Sequence, residues 1–203
     1  QGNVMAALAW LAYNQEADGH WDAQRHGAGV KTDTACTAFA LLAFLGYGYT
    51  ERAGEYRDNV GRGVKWLISK QNAEGLVFDG GDAGGHRAVG YPHAIAGLAL
   101  VEAAGMARLP ETKIAAQKAV DYSCGLHQHT LGYEKLGWRY KAGQPGDLSV
   151  TGWFVMQLKS ARIAGLRVDG ESVKGAIRFL DSVERKSGGD RGYGPASVYS
   201  YQP

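Results

Sequence analysis

Six residues of this chain combine chemically useful side chains with a place near the start of an apolar segment. Carboxylates and imidazoles exchange protons, and aromatic rings beside them can bind apolar or sugar-like ligands in a concave site. The candidate catalytic residues are Asp33, His93 and Asp147, and the candidate ligand-binding residues are Tyr91, Thr151 and Trp153. The residues equally fit a structural alternative, in which all six are helix caps and core residues.

Two of the aspartates show why the structural alternative has weight. Asp33 precedes the segment TACTAF as Asp147 precedes LSVTGW. An aspartate ahead of a helix accepts hydrogen bonds from the first free backbone N–H groups. The repetition favours capping by both residues over a unique catalytic role for either.

An internal repeat of about 56 residues provides the elements that position these side chains. A period of that size determines the architecture of a chain. Each copy contains an aromatic residue, a Gln or Glu, a Gly and a second aromatic residue in this order. The matched residues are Trp10, Gln15, Gly19 and Trp21; Trp66, Gln71, Gly75 and Phe78; Tyr122, Gln128, Gly132 and Trp138; and Phe179, Glu184, Gly188 and Tyr193.

Three apolar segments lie between the repeated stretches, namely TACTAFALLAFLGYG, YPHAIAGLALVEAAG and VTGWFVMQLKSARIAG. A helix that is apolar nearly all round is buried, whereas a helix with charge on one face is half exposed. Each repeat therefore predicts an outer amphipathic helix, a Gly-rich turn and an inner buried helix. Gly46, Gly105 and Gly165 close the inner segments and suit left-handed helix ends.

The repeats predict an all-α fold in a single domain over residues 1–203. The four copies cover about 4–49, 55–107, 112–166 and 170–203, and the last copy is incomplete. No strand-like alternation competes with this interpretation, although GLVFDGG suits a short hairpin. Alternating outer and inner helices build either an open solenoid or a closed ring.

Gln15, Gly19 and Trp21 predict a fastening between repeats rather than a catalytic site. A Gln at a helix end can bond exposed carbonyl groups, and a Gly four residues later permits a positive φ. The aromatic residue that follows can fold back onto a neighbouring outer helix. Gln71 and Gly75 have the same structural role in the second repeat.

The tandem order of outer helix, Gln, Gly and aromatic residue resembles the QW repeat of squalene and oxidosqualene cyclases. The whole chain resembles the prenyltransferase/squalene oxidase repeat proteins of bacteria over nearly all of its 203 residues. The resemblance implies an α/α-toroid, with inner helices around a central cavity. A complete toroid of these families has more than the three and a half hairpins predicted here. This implies a fragment, an open arc, or two copies that complete one ring.

The resemblance also implies an acid that this sequence matches only in part. Class II terpene cyclases protonate an alkene with an aspartic acid in the motif Asp-x-Asp-Asp-Thr-Ala. The segment VKTDTA matches it only at Asp33, Thr34 and Ala35. We do not expect that reaction, because the second carboxylate that tunes the acid is missing.

A zinc site is the alternative that the resemblance implies for protein prenyltransferases, whose β subunits bind zinc through Asp, Cys and His. Asp33, Cys36 and His93 would be the ligands here, and residues three apart on a helix share a face. The family, however, spaces its Asp and Cys two apart. We therefore expect no cofactor, with zinc as the less favoured alternative.

The net charge of +2 and the apolar pattern limit the partners. An evenly mixed charge gives no reason to expect nucleic acid, and the apolar run at 38–45 is too short to span a membrane. Two cysteines, Cys36 and Cys124, do not fix the compartment. The resemblance implies a bacterial protein, either cytoplasmic or exported.

The favoured prediction is a protein that binds an apolar, isoprenoid-like ligand in the central cavity. The alternative is a non-catalytic repeat scaffold that binds protein, and self-association could complete the ring. Polysaccharide cleavage is less favoured, since His86, Arg87 and Lys135 are too scattered to form a charged groove. A cavity with convergent acids would favour ligand binding, whereas a filled centre would favour the scaffold.

Overall fold

The structure, a computed structural model, describes residues 2–29, 31–80, 88–185 and 198–199. Over these residues the chain forms seven α-helices, and the all-α prediction is confirmed. The helices are α1 (Gly2–Tyr13), α2 (Asp33–Gly46), α3 (Arg57–Ser69), α4 (Gly90–Ala107), α5 (Pro110–Tyr122), α6 (Leu148–Ile163) and α7 (Gly170–Val183).

Short irregular elements connect the helices. A 3-10 turn covers Gln24–His26, and a turn of π-helix covers Ser123–His127. Two antiparallel pairs join β1 (Thr130–Leu131) to β2 (Glu134–Lys135) and β3 (Glu184–Arg185) to β4 (Val198–Tyr199). The predicted positions Gly188, Tyr193, His86 and Arg87 lie outside the described residues.

The inner layer consists of α2, α4 and α6, with α4 in contact with both of the others. The sequence of α4, GYPHAIAGLALVEAAGMA, is apolar on nearly every side, and 13 of its 18 residues are buried. Small residues bring the neighbours close: a Cβ atom at Gly97 would overlap the side-chain amide of Gln157 on α6. The predicted inner helix of the second repeat is therefore central in the fold.

The outer layer contains α3, α5 and α7, each of which buries one side. On α3 the apolar residues Val60, Val64 and Leu67 are buried, while Arg62 and Lys65 are exposed. Among the outer helices, each inner helix packs most closely against the one that follows it, as α2 does on α3 and α4 does on α5. None of the described helices is long and apolar enough to cross a lipid bilayer.

The helix ends follow the predicted residues only in part. The Asp147 carboxylate caps α6 by accepting a hydrogen bond from the Val150 N–H at 2.8 Å. Asp33 is not a cap, because α2 begins at Asp33 itself and Thr32 occupies the cap position. Among the three glycines expected at left-handed helix ends, Gly165 has a positive φ of 72°. The other two do not, and Gly48 and Arg108 adopt the left-handed conformation after α2 and α4 instead.

α1 differs from the other outer helices. Its sequence, GNVMAALAWLAY, has no charged residue, yet only Leu8 is buried. Val4 is 49% exposed and Trp10 is 52% exposed. The charged face predicted for outer helices is absent here, so α1 presents apolar side chains outward.

Candidate functional site

The repeated glutamine links the turn that follows it to the next outer helix by two hydrogen bonds, an arrangement that we call the clamp. Gln15 Nε2 donates to the Gly19 carbonyl at 2.8 Å and to the Asn59 carbonyl of α3 at 2.9 Å. The same two-way donation joins Gln71 to Gly75 and Ala115, and Gln128 to Leu136 and Ser172. In all three clamps the acceptor on the next outer helix lies 44 residues ahead.

The side chain two residues after each clamp turn packs inward, and the backbone N–H of that residue donates a hydrogen bond to the following inner helix. Trp21 is buried, its indole donates to the Leu11 carbonyl at 2.8 Å, and its backbone N–H donates to Thr37 Oγ1 at 3.1 Å. Trp138 has the same relation to Thr151 Oγ1, at 2.9 Å. In the second repeat the buried residue is Val77, whereas the internal repeat predicted Phe78 at this position.

His93 occupies the position of Thr37 and Thr151 in the second repeat. Its Nδ1 accepts from the Val77 N–H at 3.1 Å, so the ring proton lies on Nε2, 3.0 Å from Ser123 Oγ. Ser123 Oγ in turn donates to Gln157 Oε1 at 2.8 Å. Both nitrogens of this fully buried imidazole have protein partners, so it is closed to a ligand.

Burial keeps His93 uncharged. Loss of hydration, together with the weaker effect of repulsion from the neighbouring His127, lowers the pKa of His93 to about 3. The two rings lie 6.5 Å apart. Burial also lowers the pKa of His127, whose Nε2 bonds the Arg139 carbonyl at 2.7 Å. The pair forms a neutral polar centre inside the core.

Asp33 belongs to a group of charges at the start of α2. Its Oδ1 accepts from the Ala23 N–H at 3.0 Å, and its Oδ2 lies 3.7 Å from Lys31 Nζ. The same ammonium lies 3.6 Å from Asp79 Oδ2, and among the described residues neither oxygen of that buried carboxylate has a hydrogen-bond partner. Sequence reasoning missed Asp79, because Ala23 and Tyr140 occupy the corresponding positions of the other repeats and gave no signal.

Asp147 and Tyr91 lie at the starts of α6 and α4. The Asp147 side chain is fully buried, and its Oδ2 lies 3.9 Å from Arg139 Nε. The Tyr91 hydroxyl donates to Ser149 Oγ at 2.6 Å, and its ring packs against Tyr140 at 5.6 Å between centroids. The Arg139 contact joins α6 to the loop before it, and the Tyr91 contacts join α4 to α6 and to that same loop.

The proposed zinc ligands have separate partners. Cys36 Sγ lies 3.7 Å from Thr32 Oγ1, while Asp33 and His93 make the bonds given above. Within the described ranges, no group of three or more His, Cys, Asp or Glu side chains is arranged to hold a metal ion.

Trp153 meets Phe39 across the middle inner helix. Their rings pack edge to face, 5.4 Å apart between centroids. Phe39 lies on α2 and Trp153 on α6, while Ile95, at the corresponding position of α4, is buried between these helices. The inner helices are therefore in side-chain contact across the place where a central cavity would begin.

An opening lies beside α1 and α2, at one edge of the helical layers, and we call it the edge groove. It has a volume of about 640 Å³ and is lined by Trp10 and Leu11 of α1, by Cys36, Phe39 and Ala40 of α2, and by parts of residues 21–28. His26 covers one side of Trp10, at 5.1 Å between ring centroids. The uncharged sequence of α1 was a signal for this site, but the interpretation of α1 as an ordinary outer helix missed it.

The edge groove has a filled counterpart one repeat later. Trp10 and Phe39 correspond to Trp66 and Ile95, which are only 6% and 3% exposed. Between α3 and α4 this space is occupied by α2, which contacts both helices. A Cβ atom at Gly63 of α3 would lie 2.9 Å from the Leu41 side chain of α2. The edge groove thus corresponds to the space that an inner helix, α2, fills between α3 and α4.

Comparison of the chain with protein-family models, with curated proteins and with solved structures gave no match. The geometry of the described residues is therefore the basis for any assignment of function.

Proposed function

We propose that the protein is a helical-repeat scaffold that binds an apolar helix of a protein partner in the edge groove. One observation carries the proposal: the groove between α1 and α2 corresponds to the groove between α3 and α4, which α2 fills. A groove lined by apolar and aromatic side chains recognises a helix by burying its apolar side. Asp33, His93 and Asp147 have structural roles in this proposal.

We propose further that the hairpins follow the curve of an α/α-toroid. The neighbour order α2, α4, α6 and the contact of Phe39 with Trp153 support a strongly curved inner layer. This contact favours a scaffold over a cavity enzyme, because a substrate enclosed by the inner helices would need the space that these two rings take.

A tandem chain tests the scaffold proposal. A copy of residues 1–56 is placed before residue 1, which preserves the repeat because Arg57 follows Tyr56 in the same phase. We expect the copied α2 to fill the groove and to cover Val4, whose counterpart Val60 is fully buried. At a protein concentration where the single chain is monomeric, a Val4→Cys thiol should react quickly with a maleimide, and in the tandem chain it should react at least about tenfold more slowly.

Ala9→Cys is the matched control. Ala9 is exposed and corresponds to Lys65, which remains exposed beside the filled groove. Its thiol should react at the same rate in both chains. Equal reactivity of Val4→Cys in the two folded chains would contradict the proposal.

An isoprenoid-like molecule is a second candidate occupant of the edge groove. The observation that favours it is the volume of about 640 Å³, since pockets for small ligands measure roughly 300–1,000 Å³. Farnesol titrated into the single chain by calorimetry distinguishes the two occupants. Saturable farnesol binding that is lost on Trp10→Arg would support the small molecule. Absence of farnesol binding, together with a protected Val4→Cys thiol in the tandem chain, would support the helix.

A further inference from the structure

We infer that the helix that fills the edge groove is α1 of a second copy of this chain, so that two copies form an isologous dimer. The inference rests on the proposed function of the groove and adds the identity of its partner. Three observations support it: the composition of α1, its exposure, and the reciprocity of the contact.

The composition of α1 resembles that of α2, the helix that fills the counterpart groove. The counterpart groove accepts α2, which carries no charged residue after Asp33 and is rich in alanine, phenylalanine and leucine. α1 carries no charged residue and is also rich in alanine. Burial of such a helix leaves no unpaired charge, whereas burial of α3 or α7 would.

The exposure of α1 gives a reason for association. Trp10 is 52% exposed, and Phe39 of α2, which lines the edge groove with it, is 47% exposed. Apolar surface of this kind on a single helix marks a contact site in a water-soluble fold. Aromatic side chains at the centre of such a patch are typical of residues that dominate binding.

The contact is reciprocal, which makes a closed dimer. When α1 of one copy lies in the groove of the other, its own groove receives α1 of the partner, because both belong to the same edge. The result is a cluster of four helices, α1 and α2 from each copy. A two-fold contact uses both patches and stops at two copies.

Sedimentation velocity of the purified chain over a range of concentrations tests the inference. We expect a reversible monomer–dimer equilibrium that does not continue to larger species. Val4→Arg and Trp10→Arg should each weaken dimerisation at least about tenfold, because a buried charge would have no partner. Ile163→Arg is the matched control: Ile163 is 78% exposed on α6 and should leave the equilibrium unchanged.

The circular dichroism spectra of the variants at low concentration must match the parent, which shows that the monomer folds. A parent chain that is monomeric at all concentrations, beside a tandem chain that protects Val4→Cys, would overturn the inference and leave the scaffold proposal standing. Growth beyond two copies would also overturn it. If the tandem chain also fails to protect Val4→Cys, both proposals fall.

Discussion

At the scale of single residues, the position shared by Thr37, His93 and Thr151 shows how one structural task is met by two chemistries. All three accept a hydrogen bond from the backbone N–H of the buried residue after the clamp. A hydroxyl does this at any pH, whereas an imidazole does so only when it is neutral. The second repeat is therefore sensitive to acid at a point where the other two are not.

We expect the free energy of unfolding to decrease as the pH falls from 6.5 towards 3. The unfolded chain binds a proton on His93 near pH 6.5, while the folded chain, with a pKa of about 3, binds it only near pH 3. The stabilisation is complete above pH 6.5 and is lost progressively below it, on the order of 4 kcal/mol from this group. His127 acts in the same direction, because burial lowers its pKa too. Urea unfolding followed by circular dichroism at several pH values measures the slope.

His93→Thr should flatten this pH dependence, because threonine offers Val77 an acceptor that does not titrate. Thr37→Val is the control for a lost hydrogen bond at the same repeat position. It should lower stability by a similar amount at pH 7 and at pH 5. An unchanged slope in the His93→Thr protein would assign the acid response to other groups.

At the scale of secondary-structure elements, the clamp brings the turn after one outer helix against the backbone of the next. Gly75 has a φ of 103°, and a Cβ atom there would overlap the carbonyl oxygen of Lys118 on α5. Gly19 has the same relation to Arg62 on α3. The close approach of these turns to the next outer helix therefore depends on glycine, beside the hydrogen bonds that the clamp glutamine makes.

Gly75→Ala should destabilise the fold by about 3 kcal/mol or more, since it combines backbone strain with a clash against main chain. Gly48→Ala is the matched control, because Gly48 has a φ of 99° but open space where the Cβ atom would lie. Strain alone should cost about 1–2 kcal/mol there. Equal losses at the two positions, measured by urea unfolding, would show that the turn moves away from α5 without cost.

The elements were predictable from the sequence to the extent that they depend on local pattern. The apolar runs predicted α2, α4 and α6, and the spacing of Gln15 and Gly19 predicted a turn with positive φ. The prediction that Asp33 caps its helix was wrong, because its carboxylate accepts a hydrogen bond from Ala23 in the preceding loop and not from its own helix. Asp79 and the contact of Phe39 with Trp153 depend on how distant helices curve towards each other, which no local spacing encodes.

At the scale of the whole molecule, the layers are well covered between repeats and uncovered at the α1 edge. Trp10 and Trp66 are the same residue type at the same repeat position, with 52% and 6% of their surface exposed. Trp66 stacks on His20 of the loop after α1, at 5.2 Å between ring centroids, whereas Trp10 packs against His26 of its own repeat and faces the edge groove. The edge therefore contributes less to the stability of a single copy than the interior does.

Trp66→Ala should lower the free energy of unfolding by about 3–5 kcal/mol, as expected for a large core side chain. Trp10→Ala should change it by less than about 1 kcal/mol at a protein concentration where the chain is monomeric. At high concentration Trp10→Ala should cost more, because the dimer would also be weakened. Chemical unfolding at two protein concentrations measures both effects, and equal losses at low concentration would contradict the unequal burial.

The constant separation of 44 residues between each clamp glutamine and its acceptor on the next outer helix also orders events during synthesis. Translation at roughly 5–20 residues per second delivers each acceptor about 2–9 seconds after its glutamine. The hairpins are thus fastened one after another from the N-terminal side while the ribosome is still working.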